Sequence, residues 1–238
     1  VLAGAGSGKT RVLTHKIAHL VDRGIPAWRI LAVTFTNKAA REMAGRVESL
    51  LGIPAQGLWI GTFHGMCVRI LRREADRWGI RRDFTIYDRD DQLAVVKRAL
   101  AKIGVKKETL APNRALMVIG KAKNDGIGPD EFEEYASGRD AAVIEKVYRA
   151  YNEALREAGA FDFDDLLLRP VEMFAKHPES LAEWREKFLH VLVDEYQDTN
   201  RTQYLLMQQL AGASGMVTAV GDDDQSIYSW RGAEVENI

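Results

Sequence analysis

The stretch from Ala3 to Thr10 reads AGAGSGKT. Gly4, Gly6 and Gly8, with Ala5 and Ser7 between them, permit a backbone turn whose successive N–H groups point inward at phosphate oxygens. A helix beginning near Lys9 adds its N-terminal dipole to that cradle. Lys9 is spaced to reach the β- and γ-phosphates of a nucleotide, and the Thr10 hydroxyl to ligate Mg²⁺. Ala3 replaces the first glycine of the strict G-x-x-x-x-G-K-[ST] pattern, a change that leaves this chemistry intact. The bland alternative is a glycine-rich turn before a helix. Gly-Lys-Thr at this spacing argues against it, although the loop alone says nucleotide and no more.

A second group lies far along the chain. Val191-Leu192-Val193 runs into Asp194-Glu195, an apolar strand ending in two adjacent carboxylates. Like charges that close repel, and a bound divalent ion offsets the repulsion. Asp194 is read as the Mg²⁺ ligand, direct or through water. Glu195 is read as the general base on an attacking water.

These groups need a scaffold. Ile30–Phe35, Leu58–Phe63, His190–Asp194 and Met216–Gly221 are short apolar runs, often β-branched and bounded by polar residues or glycine, and each reads as a buried strand. Between them lie helical patterns. Asn37–Leu51 sets Ala40, Met43, Val47, Leu50 and Leu51 on one face and stops at Gly52, and Thr202–Leu210 stops at Gly212. Continuous apolar strands alternating with helices indicate a mainly parallel α/β sheet covered on both faces. From about Tyr87 to Ala160 the patterns are almost all helical, as in Asp90–Ile103 and Ala141–Ala158, and they read as an insertion between strand groups.

Composition narrows the classes. The 238 residues are 46% hydrophobic and 28% charged, enough apolar content for a sizeable core in one or two domains. The single cysteine, Cys67, excludes a disulfide framework or a multi-Cys metal site, and reads as a small buried hydrophobe. No leader and no long apolar run suggests export or a membrane span, so a reducing cytoplasmic setting is the default. The net charge of −1 hides an uneven distribution. Arg69 to Lys107 holds 12 Lys/Arg against 6 Asp/Glu, and Asp125 to Asn200 holds 8 against 19. The basic stretch is a candidate for phosphate contacts, or simply a set of solvated helix faces. Trp28, Trp59, Trp78 and Trp184 have no motif around them and read as packing residues.

Asp194 to Asn200 (DEYQDTN) and Val220 to Ala233 (VGDDDQSIYSWRGA) resemble motifs II and III of the superfamily 1 DNA helicases of the UvrD/PcrA/Rep type. Thr34 to Met43 (TFTNKAAREM) resembles motif Ia, Gly61 to Gly65 (GTFHG) the next DNA-contacting motif, and Phe161 to Leu167 (FDFDDLL) a further family segment. The matches keep the family's order and span almost the whole chain. The resemblance implies an ATP- and Mg²⁺-dependent motor that moves 3′ to 5′ on single-stranded DNA and acts at junctions with duplex, in a bacterial-type, nucleoid-associated cytoplasmic setting. It implies a RecA-like phosphate-loop domain over residues 1–86 and 161–238, with an all-helical subdomain inserted over 87–160. Gln225 would sense the γ-phosphate and couple it to DNA. Tyr228 and Trp230 would lie along the DNA path, Trp230 stacking on bases, and Phe35, Asn37, Thr62 and His64 would line the same path.

Only two residues precede the phosphate loop, and the chain stops just after motif III. The expectation is therefore a piece of a longer protein. The family's adenine-recognising segment, its second RecA-like domain and the arginines that domain supplies would be missing, and isolated turnover would be weak or absent. Two other classes stay open on the sequence, a phosphate-loop kinase and a non-catalytic module that binds ATP or DNA. No segment suggests a phosphoacceptor pocket, and intact Lys9, Thr10, Asp194 and Glu195 argue against a decayed site. Which repair or replication proteins would act as partners is not legible.

Overall fold

The computed structural model describes residues 1, 4, 7–52, 54, 57–106, 109–138, 140–212 and 216–222. In chain order the elements begin with α1 (Lys9–Asp22), β1 (Ile30–Thr34), α2 (Asn37–Leu51), β2 (Trp59–Thr62) and α3 (Phe63–Trp78). β3 (Thr85–Tyr87), α4 (Arg89–Lys102), α5 (Pro112–Asn124), α6 (Phe132–Tyr135), α7 (Ala141–Ala158) and β4 (Ala160–Asp162) follow. The last are α8 (Asp165–Lys176), α9 (Pro178–Lys187), β5 (His190–Val193), α10 (Arg201–Ala211) and β6 (Met216–Ala219). The chain divides into two compact units, one of residues 1–69 with 171–238 and the other of residues 70–170.

The first unit is built on a parallel four-stranded sheet in the order β2-β1-β5-β6. Every residue of the central strands β1 and β5 is buried, as continuous apolar runs require. The outer strands differ from the expected full burial. Met216 of β6 is 58% exposed and Val217 is exposed beside it, while Thr218 and Ala219 are half-buried. Leu13 and Ile17 of α1 and Met43 and Val47 of α2 pack on Ile30, Ala32 and Leu192. Fully burying each such side chain contributes about 1.5–3 kcal/mol.

Local chemistry sets the ends of α2. The Thr36 hydroxyl accepts the Ala39 N–H at 3.1 Å, and Gly52 closes the helix in a left-handed conformation (φ 66°). Ala40, Met43 and Val47 form the buried stripe, whereas Leu50 is 44% exposed and lines an open groove between α1 and α2. Trp59 and Trp184 are buried and meet edge to face at 5.3 Å, with Phe188 against both. Arg69 and Lys187 stack on the Trp59 ring at 3.6 and 3.9 Å. Trp28, expected to pack, is 58% exposed in the single turn that precedes β1. Cys67 is fully buried, and burial pushes its thiol pKa up.

The second unit is mainly helical. Val96 of α4, Ile119 of α5, Phe132 of α6 and Tyr148 of α7 share one core. A short parallel ladder between β3 and β4 sits where the helical stretch begins and ends, and the sequence patterns did not reveal it. Lys123 is fully buried within this unit, 2.6 Å from Asp162 and 2.8 Å from Asp165. Burial alone would lower the Lys123 pKa, but the two carboxylates outweigh it and hold it raised.

Candidate nucleotide and nucleic-acid site

Parallel strands bring their carboxyl ends to one edge, where open α/β sheets place ligands. In the first unit that edge gathers the start of α1 and the acids that follow β5 and β6. Gly8 precedes α1 at φ 90°, a conformation that favours glycine, and no side chain caps the helix there. The first N–H groups of α1 are therefore not taken by a capping side chain, the arrangement an anion uses. Ser7 folds back onto the Gly4 carbonyl through its N–H (3.3 Å) and its hydroxyl (2.6 Å). Ala5 and Gly6 lie outside the described residues.

Lys9 is only 8% exposed, and its ammonium donates to Asp222 Oδ2 at 2.9 Å. Thr10 Oγ1 donates to Asp194 Oδ2 at 3.1 Å. The first turn of α1 thus touches the ends of two strands at once. β5 delivers Asp194, pinned by its N–H on the Val33 carbonyl of β1, and β6 runs on into Asp222. Val1 joins the same edge through its amine on Ala219 O and its carbonyl on the Gly221 N–H.

Burial, and then the Glu195 charge, hold the Asp194 carboxyl above the usual carboxylate range. Glu195 is the one non-glycine residue with positive φ among the described residues, at 51°. Such strain costs on the order of 1–3 kcal/mol and persists only where the surroundings enforce it. Here Asp194 Oδ1 accepts the Glu195 N–H at 3.1 Å, and Gln197 Nε2 donates to Glu195 Oε2 at 2.8 Å. No group of three or more His, Cys, Asp or Glu that could hold a metal occurs among the described residues. The oxygen pair of Thr10 and Asp194 nevertheless suits a hard ion such as Mg²⁺, which takes one or two carboxylates and completes its shell with phosphate and water.

Phe35, Asn37, Thr62 and His64 gather at the carboxyl ends of β1 and β2, the same sheet edge. Phe35 is half-buried and meets Phe63 edge to face at 6.0 Å, and Asn37 is exposed at the start of α2. The Thr62 hydroxyl accepts the Gly65 N–H at 3.1 Å, and half-buried His64 sits in the first turn of α3. Gln225, Tyr228 and Trp230 lie outside the described residues. Asp222 and Gln197 are site members that the sequence reading passed over. Asp222 had a usable signal, since it follows β6 much as Asp194 follows β5.

The basic stretch is less available than its charge count suggests. Arg77 pairs with Glu74, Arg81 with Asp83, and Arg82 with Asp76.

Comparison with known proteins bears on the whole chain. Residues 1–238 match the model of the UvrD/REP helicase N-terminal domain. The chain is 50% identical over 239 aligned residues to the ATP-dependent DNA helicase PcrA of Bacillus subtilis (strain 168), covering all of this chain and 32% of that protein. It is 47% identical to the ATP-dependent DNA helicase PcrA of Staphylococcus epidermidis and 46% to that of Staphylococcus aureus, in each case over all of this chain and 33% of the relative. The chain therefore spans about a third of the length of these curated relatives.

Proposed function

We propose, on the premise that this chain belongs to the UvrD/REP helicase N-terminal domain family, that it forms the nucleotide- and DNA-binding part of an ATP-driven helicase moving 3′ to 5′ on single-stranded DNA. The observation that carries the reading is the meeting of Lys9 and Thr10 with Asp222 and Asp194 on the sheet edge that also holds Phe35, Asn37, Thr62 and His64. In this reading residues 1–86 and 161–238 make the RecA-like domain and 87–160 its helical insertion. The relatives named above are called ATP-dependent DNA helicases, which supports ATP as the substrate here.

The chain's own residues then divide the work. Backbone N–H groups from Gly4 to Gly8 and the start of α1 hold the β- and γ-phosphates. Lys9 exchanges Asp222 for phosphate oxygen, so that a buried charge always has a partner. Thr10 and Asp194 would hold Mg²⁺, which would supply charge neutralisation on the transferring phosphoryl group. Glu195 accepts a proton from the attacking water as its oxygen bonds to the γ-phosphorus. The bond from that phosphorus to the bridging oxygen breaks, and ADP leaves. Gln225 senses the γ-phosphate. Phe35, Tyr228 and Trp230 offer rings on which bases stack at about 1–3 kcal/mol per base whatever the sequence, and Asn37, Thr62 and His64 line the strand's path.

Strand displacement by the full-length protein tests this. We expect ATP-dependent unwinding of a duplex with a 3′ single-stranded tail and little of one with a 5′ tail. Phosphoryl transfer from ATP to a small-molecule acceptor, with no unwinding, would refute the reading in favour of a kinase.

A further inference from the structure

We infer that Gln197 is a positioning residue for hydrolysis, one that joins Glu195 to the strand end holding the partner of Lys9; the inference rests on the reading of Glu195 as the general base. Gln197 is buried, and both ends of its carboxamide are engaged. Its Nε2 donates to Glu195 Oε2 at 2.8 Å, and its Oε1 accepts the Asp222 N–H at 2.9 Å. An amide carries a donor and an acceptor on separate atoms, so it can donate to a carboxylate and accept from a backbone N–H at once. A Leu would do neither, and a Glu would set a second negative charge against Glu195.

Two further features fit the same role. Gly221 precedes Asp222, and a Cβ there would lie 2.7 Å from Gln197 Oε1, so the glycine makes room for the amide. Glu195 is held at φ 51°, a strained backbone conformation that persists only where its surroundings enforce it. The resulting chain of contacts runs Lys9–Asp222–Gln197–Glu195. When phosphate takes Lys9 from Asp222, the strand end that carries the Asp222 N–H is the one Gln197 grips. Nucleotide occupancy and the orientation of the base are thereby linked through one side chain. In this reading Gln197 does not itself contact nucleotide, so its loss falls mainly on kcat and moves KM little.

The test uses the full-length protein and DNA-stimulated ATP hydrolysis. A misplacement of about 1 Å at a reacting group costs on the order of 10²-fold. Gln197→Leu should therefore lower kcat by about 10- to 100-fold, with KM for ATP within about threefold of wild type. In a Glu195→Gln background the same substitution should cost almost nothing more, because the two residues act as a unit. Gly221→Ala keeps Gln197 but displaces its amide, and should reproduce the kcat-specific loss should Gln197→Leu fold poorly. Wild-type kcat in both Gln197→Leu and Gly221→Ala, beside an inactive Glu195→Gln, would overturn the positioning role alone. Losses that add fully in the double variant would overturn it too. Undiminished turnover by Glu195→Gln would overturn the general-base reading and this inference with it.

Discussion

Lys123→Met should be among the most damaging substitutions in the second unit, although it lies outside the proposed site. The Lys123 ammonium is fully buried between Asp162 (2.6 Å) and Asp165 (2.8 Å). Removing one partner of a buried ion pair costs about 3–5 kcal/mol, because the remaining charge is uncompensated. Some compensation survives here. Tyr151 donates its hydroxyl to Asp162 at 2.9 Å, Asp162 Oδ1 accepts the Asp165 N–H at 2.7 Å, and Arg169 lies 3.2 Å from Asp165. We therefore expect about 3 kcal/mol, the low end of that range. Hydrogen exchange of α5 and α7 amides in the full-length protein reads this local stability. Burial and the Asp165 charge already hold the Asp162 carboxyl above the usual carboxylate range, and losing Lys123 removes the largest influence that lowers Asp165, so the deficit should be full at neutral pH and shrink as acid protonates these carboxyls. Adding Asp162→Asn and Asp165→Asn should recover most of the loss at pH 7. A deficit below about 1 kcal/mol at neutral pH, or no recovery in the triple variant, would refute the argument from buried charge.

Other consequences follow from the same contacts. Asp222→Asn removes the anion that competes with phosphate for Lys9, so nucleotide affinity should rise a fewfold, read by a fluorescent ATP analogue, while the melting temperature without nucleotide falls. Asp164 has its pKa pushed up to about 6, by burial and then by Asp162. A carboxyl raised in this way favours the folded state below its unfolded pKa and loses that contribution as pH rises through about 6. Asp164→Asn should therefore flatten the fall in stability between about pH 4 and 6, measured by urea unfolding at several pH values. An unchanged slope would show that Asp164 titrates normally.

Much of the first unit was legible because its signals are local and periodic. The apolar runs at 30–35 and 190–194 became the fully buried central strands, and α2 begins and ends where Thr36 and Gly52 place its caps. Lys9, Thr10 and Asp194 were legible as one group because phosphate chemistry demands those types at strand and helix ends, and the structure brings them together. The misses turn on what lies beside a residue in space, which local periodicity does not carry. Trp28 reads as apolar mass, yet it sits in a one-turn connector and is 58% exposed. Leu50 keeps the helical period but lies on the last turn of α2, at the open groove against α1. The β3–β4 ladder joins two three-residue segments about 75 positions apart, too short for periodicity to mark. Gln197 was quoted only as part of DEYQDTN, and its contact with the Asp222 N–H joins positions 25 residues apart.

In the proposed function this sheet edge hydrolyses ATP in response to DNA. Its most direct test is steady-state ATP hydrolysis by the full-length protein, with and without single-stranded DNA, for wild type, Lys9→Ala and Glu195→Gln, beside Mg-ATP binding for each. Removal of a general base costs about 10²–10⁴-fold in rate. We expect DNA-stimulated turnover in wild type, a loss of that size in Glu195→Gln with nucleotide binding kept, and loss of both in Lys9→Ala. Turnover indifferent to DNA, or undiminished in Glu195→Gln, would contradict it.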